Sequence, residues 1–500
     1  MTFTSFAFIA FVGAVILVYA LTPPRARWGM LLAASYVFYA SFGLAYVPLL
    51  AAATLFTWWI GLRIGRLEPD DAPAVAGAEQ LGGLSVASSA PAARRRRMLA
   101  FGLVVLLGLL AVFKYANFAT GSTASFLVLL GIDMQAPAVH WLLPVGISFY
   151  TFMGAGYLID VFRGRITPQQ SVWSLALFMS FFPHITAGPI DRAPRFLPQL
   201  RTKSRFDYSQ VSLGLKQILW GFVMKVVIAD RLALAVDRIF ANPSDYRGWM
   251  LVLAAYGFSF QIYCDFAGYS LIAIGLGHLF GLNLMQNFNR PYLSENLQEF
   301  WHRWHISLST WFRDYVYIPL GGNRVTKWRQ DYNILVVFLL SGLWHGAAWT
   351  FVIWGGLHGI YLIVGERTAA ARERFAVFIG LARLPRLRKA WKVFATFNLV
   401  TFAWIFFKIQ SFSDAGTYLK NMISPGVSVS TTGLRQGDSV IIVVTIGALL
   451  LAEYRAGNRP MVALLNERAP WIRMAAYSLL LWTVVLGGKF GAQEFIYGGF

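Results

Sequence analysis

Two short stretches of the sequence hold side chains able to do acid–base chemistry. In Ser341-Gly342-Leu343-Trp344-His345-Gly346 a histidine stands among small residues, at the end of one apolar stretch and directly before another. An ionisable group at membrane depth is costly and therefore rare without a task. Imidazole, with an ordinary pKa of ~6.5, can take a proton and return it near neutral pH, as a general base must. The structural alternative is a histidine satisfied by a backbone carbonyl in a packed helix bundle. The glycines on either side allow close approach by another backbone or by a substrate.

The second stretch is Trp301-His302-Arg303-Trp304-His305-Ile306-Ser307-Leu308-Ser309-Thr310-Trp311-Phe312-Arg313-Asp314-Tyr315. On one helix His302 and His305 share a face, at a spacing that two metal ligands can use. Arg303 lies between them and the single cysteine, Cys264, is 41 positions from His305, so no metal site is expected. His302 reads instead as an interface residue. Ser341 and His345 form an i, i+4 pair that imitates an activated nucleophile, but without a nearby acid to orient the imidazole. Cys264 reads as inert packing. Its neighbour Asp265, a carboxylate in an apolar run, needs a partner such as an arginine, and a structural salt bridge is the first explanation. His140 reads as a loop residue, and His184, His278 and His358 as interfacial or bundle-packed groups.

The elements that must carry these residues follow from composition. Of 500 residues 57% are hydrophobic and only 13% charged, with a mean hydropathy of +0.55, whereas soluble domains are about 25% charged. A soluble enzyme, a disordered chain and a disulfide scaffold are excluded. Apolar stretches cover residues 4–21, 30–62, 98–112, 141–161, 172–187, 211–228, 250–282, 334–343, 351–364, 393–407, 440–452 and 474–486. Residues 30–62 and 250–282 are each long enough for two spans. The expected fold is all-α and polytopic: one membrane-embedded domain over residues 1–500, with roughly ten to twelve transmembrane helices plus re-entrant pieces.

The net charge of +20 lies between apolar spans rather than on one soluble face, which speaks for topology and against nucleic-acid binding. Residues 66–98, rich in Ala, Gly, Pro and Ser and ending in Arg94 to Arg97, read as a flexible cytoplasmic loop. The basic stretch 192–205 is placed on the same side and the N-terminus outside. Residues 284–331, where nearly every charge adjoins an aromatic ring, read as an amphipathic interfacial helix.

Several motifs together resemble the membrane-bound O-acyltransferase superfamily, in its bacterial branch of alginate and peptidoglycan O-acetylation and teichoic-acid D-alanylation proteins. They are Leu143-Pro144-Val145-Gly146-Ile147-Ser148-Phe149-Tyr150-Thr151-Phe152, Pro183-His184-Ile185-Thr186-Ala187-Gly188-Pro189-Ile190, Asp265-Phe266-Ala267-Gly268-Tyr269-Ser270, the stretch from Trp301 to Tyr315, and Ser341 to Gly346, with a weaker match over 397–407. Trp304-His305-Ile306-Ser307 followed by Trp344-His345-Gly346 is specific enough to carry the likeness alone. The chain departs from the pattern at His302, where an arginine is common, and in residues 66–98, which look like an insertion.

The resemblance implies a helical bundle around a central tunnel, a motif-bearing core over 142–359, and an active site holding His345 and His305. Trp304, Ser307, Asp265 and Trp344 would contact substrate, and Arg290 and Arg313 would face the phosphates of coenzyme A or the acidic surface of a carrier protein. No bound cofactor is implied. The co-substrate would be an acyl thioester, acetyl-CoA or an acyl carrier protein, entering from the cytoplasm. The acceptor would be a polysaccharide, or a periplasmic acetyltransferase partner, on the opposite side of the bacterial inner membrane, with membrane lipids around the chain. The alternatives are a lipid O-acyltransferase and a flippase without chemistry, the latter requiring repeated halves that the sequence does not show.

Overall fold

A computed structural model describes residues 1–67, 90–132, 143–186, 188–201, 207–426, 432–434, 436–457 and 462–491. Among these the ordered elements are all helical. Contacts divide the chain into two compact units, Val15–Thr186 with Ile190–Arg205, and Met1–Ala14 with Ala187–Pro189 and Phe206–Phe500. Helix α1 (Phe6–Leu21) crosses the division. The first unit continues with α2 (Arg27–Ala40), α3 (Tyr46–Gly65), α4 (Ala90–Leu129), α5 (Ile147–Phe162), α6 (Val172–Ser180) and α7 (Ala193–Gln199). The second holds α8 (Tyr208–Phe222), α9 (Asp230–Ala241), α10 (Trp249–Leu279), α11 (Leu297–Arg303), α12 (Ile306–Phe312), α13 (Lys327–His345) and α14 (Trp349–Arg367). It ends with α15 (Ala369–Phe378), α16 (Pro385–Lys408), α17 (Phe412–Ile423), α18 (Gln436–Ala456), α19 (Ala463–Asn466) and α20 (Pro470–Gly487).

Six of the described helices, within α3, α4, α10, α16, α18 and α20, are long and apolar enough to cross a membrane, as a polytopic protein requires. Residues 30–62 fall on two helices, α2 and α3, of which α3 is long and apolar enough to cross a membrane. Residues 250–282 do not divide: α10 runs unbroken for 31 residues, because its glycines are packing surfaces rather than breaks. A Cβ on Gly268 would stand 2.8 Å from the Gly221 carbonyl oxygen, and one on Gly275 2.5 Å from that of Gly214, so α8 and α10 touch backbone to backbone. Arg94 to Arg97 lie on α4 rather than in a loop, since Ala and Arg favour helix and Pro91 is tolerated in a first turn. Residues 68–89 of that expected loop lie outside the described residues, as does His140.

The close approach of α8 and α10 creates a place for buried charge. Beyond Phe222 the chain forms a π-helical turn, Val223–Ala229, and Lys225 on it reaches Asp265 of α10 (2.5 Å) and Asp230 of α9 (2.6 Å). The partner that Asp265 needed is therefore a lysine, not an arginine. In the same unit Arg231 pairs with Asp438 and donates to the Gly487 carbonyl, tying α9 to α18 and α20, and Tyr263 donates to Glu453. In the first unit Tyr39 Oη donates to the Val145 carbonyl (3.0 Å), while Gly146 takes φ +75° where a Cβ would meet the Ile185 carbonyl oxygen at 2.4 Å.

Candidate active site

Helices α13 and α14 form a hairpin that sets the position of His345. A Cβ on Gly342 would lie 2.2 Å from the Phe351 carbonyl oxygen, and one on Gly355 2.2 Å from that of Phe338. Gly342 thus serves the approach of another backbone, and Gly346 leaves room for the Phe351 ring. His345 ends α13, 2% exposed, with Ser341 buried one turn before it. Its ring is enclosed edge-on by Trp344, Trp354 of α14 and Phe407 of α16, at centroid distances of 5.0, 4.9 and 5.3 Å.

Residues 284–331 are not one interfacial helix. Helix α11 ends at Arg303, Trp304 is extended, and His305 turns into the left-handed region, φ 42° and ψ 53°, as the N-cap of α12. His302 and His305 consequently do not share a face: His302 is exposed on α11, and His305 is fully buried. The His305 ring packs edge-on against Phe266 of α10 (4.6 Å) and lies 6.0 Å from Trp344 and 6.3 Å from His345. Two histidines forty positions apart in sequence therefore share one aromatic enclosure. Burial holds the His305 imidazole far below its ordinary range, at about 3, so it is neutral at physiological pH. Among the described residues no three His, Cys, Asp or Glu side chains group as metal ligands.

The other expected site residues are distributed differently. Trp344 packs edge-on against both histidines, 5.0 Å from His345 and 6.0 Å from His305. Trp304 is packed on all sides, against Phe288 (5.0 Å), Phe300 (5.5 Å) and Trp404 (4.9 Å). Ser307 is engaged in the fold, its hydroxyl donating to Asn287 Oδ1 (2.6 Å). Asp265 is held by Lys225. Arg290 is buried, with Nε and Nη2 donating to Asn289 Oδ1 (3.1 and 2.9 Å), while Arg313 is half exposed and paired with Asp314 (2.8 Å). His184 is bundle-packed, bonded through Nε2 to the Phe178 carbonyl (2.8 Å), and His278 bonds Gln217 of α8 (2.7 Å).

His358 of α14 is bundle-packed, within the expectation: fully buried, it accepts the Trp301 indole N–H at Nδ1 (3.3 Å) and joins α14 to α11. One residue escapes the sequence reading. Asn287 bonds the first turn of α12. A single sequence does not distinguish Asn287 from Asn289 two positions on, because the difference lies in what each faces.

The profile of the membrane-bound O-acyltransferase family matches residues 169–409. The chain is 37% identical over 452 residues to a probable alginate O-acetylase of Pseudomonas aeruginosa, covering 89% of this chain and 79% of that one. It is 35% identical over 459 residues to a peptidoglycan O-acetyltransferase of Helicobacter pylori, covering 85% and 79%. A teichoic acid D-alanyltransferase of Streptococcus thermophilus is 32% identical over 288 residues, covering 53% and 68%.

Proposed function

The chain belongs to the membrane-bound O-acyltransferase family, and on that premise we propose that its His345 is the general base of acyl transfer from a cytoplasmic thioester to an extracytoplasmic hydroxyl. The protein is a multi-pass membrane enzyme that transfers acyl groups to oxygen. The group is acetyl, the donor acetyl-CoA or an acyl carrier protein, and the acceptor a hydroxyl of an envelope polysaccharide or of a partner enzyme that relays the group to it. The names of the relatives, which act on alginate, peptidoglycan and teichoic acid, support an envelope polymer as the final acceptor.

The observation that carries the reading is the 6.3 Å separation of the His305 and His345 rings inside one buried aromatic enclosure. Rings so placed can both reach one small polar group, since each hydrogen bond takes about 2.8 Å. His345 takes the proton of the acceptor hydroxyl as its oxygen attacks the thioester carbonyl carbon. The C–O bond forms, the C–S bond breaks, and the imidazolium returns the proton to the departing thiolate. His305, neutral and fixed, hydrogen-bonds the reacting centre or orients the acceptor, and near-attack geometry supplies much of the remaining acceleration. In the same reading the chain lies in the inner membrane with its N-terminus outside, and Arg94 to Arg97 and residues 192–205 are in the cytoplasm.

The test is His345→Ala, scored by base-labile acyl esters on the envelope of cells carrying it as the sole copy, beside the amount of folded protein recovered in detergent. Loss of a general base is expected to lower transfer by about 10²–10⁴-fold with folded protein retained. Full activity in a well-folded variant would overturn the assignment.

A further inference from the structure

His305 stands in the left-handed region, which a non-glycine residue adopts only under strain, and such strain persists only where the surroundings over-determine it. It also occupies the N-cap of α12, the position that ordinarily lends its side chain to the unsatisfied N–H groups of the first turn. The His305 side chain makes no such cap, because it is turned into the aromatic enclosure. The capping work is done by a residue eighteen positions earlier. The Asn287 carbonyl accepts the Ile306 N–H (2.9 Å), and Asn287 Oδ1 accepts both the Ser307 hydroxyl (2.6 Å) and, more weakly, the Ser307 N–H (3.4 Å). Its amide nitrogen donates to Ser270 Oγ on α10 (2.9 Å). Asn287 and Ser270 are 1% and 2% exposed, so no water competes for these bonds. Ser270 lies one helical turn from Phe266, the residue whose ring packs on His305. One face of α10 therefore holds the imidazole directly and the backbone beneath it through Asn287.

We propose that Asn287 is a positioning residue for the acyl-transfer reaction: it caps α12 in place of His305 and so fixes the backbone that aims the His305 imidazole into the enclosure. The proposal rests on the reading that His305 works at the reacting centre. It is tested with full-length protein carrying Asn287→Ala, Asn287→Asp, Ser307→Ala, His305→Gln or the pair Asn287→Ala with His305→Gln. The readout is envelope acyl esters per amount of folded protein. Misplacing a reacting group by about 1 Å costs on the order of 100-fold, so Asn287→Ala is expected to lower transfer about 10- to 100-fold. Asn287→Asp should restore most of it, because a carboxylate accepts from Ser307 and the Ser270 hydroxyl can turn to donate. The double variant should be no worse than His305→Gln alone, since residues acting as one unit are not additive.

If Asn287→Ala does not fold, Ser307→Ala, which removes one hydroxyl, carries the test through the same comparison with His305→Gln. An active Asn287→Ala beside an inactive His305→Gln overturns the proposal and leaves the functional reading standing, as does a fully additive double variant. A fully active His305→Gln removes the reading itself, and the proposal with it.

Discussion

Residues 297–315 and 369–394 are alike in composition and opposite in fate. Both mix Trp and Phe with arginines and short apolar runs, and both suit an interfacial helix. The first folds inward: Trp304 is 1% exposed and His305 is fully buried. The second stays outside: α15 buries no residue, and Phe378 and Trp391 are 85% and 57% exposed. Backbone accounting explains the difference. In the outer segment Leu384, Leu387, Trp391 and Phe394 make a stripe along one helical face, and most backbone groups there are satisfied by the helices themselves. The inner segment ends one helix and starts another within two residues, which is affordable inside an apolar protein only where distant partners such as Asn287 satisfy the freed groups. Aromatic and basic composition therefore marks a segment as unusual without saying which side of the surface it takes.

The largest test of that contrast changes the same residue type in both segments. Trp304→Ala leaves a hole among Phe288, Phe300 and Trp404 and should cost about 3–5 kcal/mol, enough to lower the yield of folded protein sharply. Trp391→Ala removes a ring from an exposed face and should cost under about 1 kcal/mol. Thermal melting in one detergent reads both, and similar losses would mean that the two segments do not differ in burial as described.

A second pair contrasts charge inside with charge outside. Lys225→Met leaves Asp230 and Asp265 facing each other in the bundle without their cation, and breaking a buried pair costs about 3–5 kcal/mol. Arg367→Gln breaks a partly exposed pair with Asp331, where about 0–1 kcal/mol is at stake. The same melting experiment decides. A mild Lys225→Met would show that the carboxylates find other partners or neutralise.

What could be read in advance follows the same division. The helical class and the two histidines of the motifs were legible because apolar length and motif spacing are local properties. The union of His305 with His345 came only through likeness to a family, since nothing local links positions forty residues apart. The single helix α10 within 250–282 was not legible, because length alone suits two spans and the glycine contacts that hold α10 against α8 show only once the two helices are paired. The expected common face of His302 and His305 failed for a related reason: the spacing assumed a continuous helix, and the bend at Trp304 and His305 is matched by bonds to Asn287, outside any local window.

The smallest expected effect separates those two histidines by pH. Burial sets the His305 pKa at about 3 in the folded chain, against ~6.5 for an unfolded histidine. Between these values the unfolded chain binds a proton that the folded chain refuses, so stability is complete above about pH 6.5 and falls as the solution is acidified towards pH 3. His305→Gln removes this proton uptake, and the fall in melting temperature between pH 7 and pH 4.5 should therefore be a few degrees smaller than in the parent protein. Other buried histidines titrate in both proteins and cancel in the difference. His302→Gln is the control: its side chain is exposed on α11, outside the enclosure, so the parent's fall should be kept. The pair also discriminates in activity, where His305→Gln should lower turnover at every pH, since the interaction is made with the reacting centre, while His302→Gln should leave it nearly whole. An equal pH response in parent and His305→Gln would mean that the imidazole is reached by protons when folded, and the enclosure formed by Phe266 and Trp344 would then have to open during the reaction cycle.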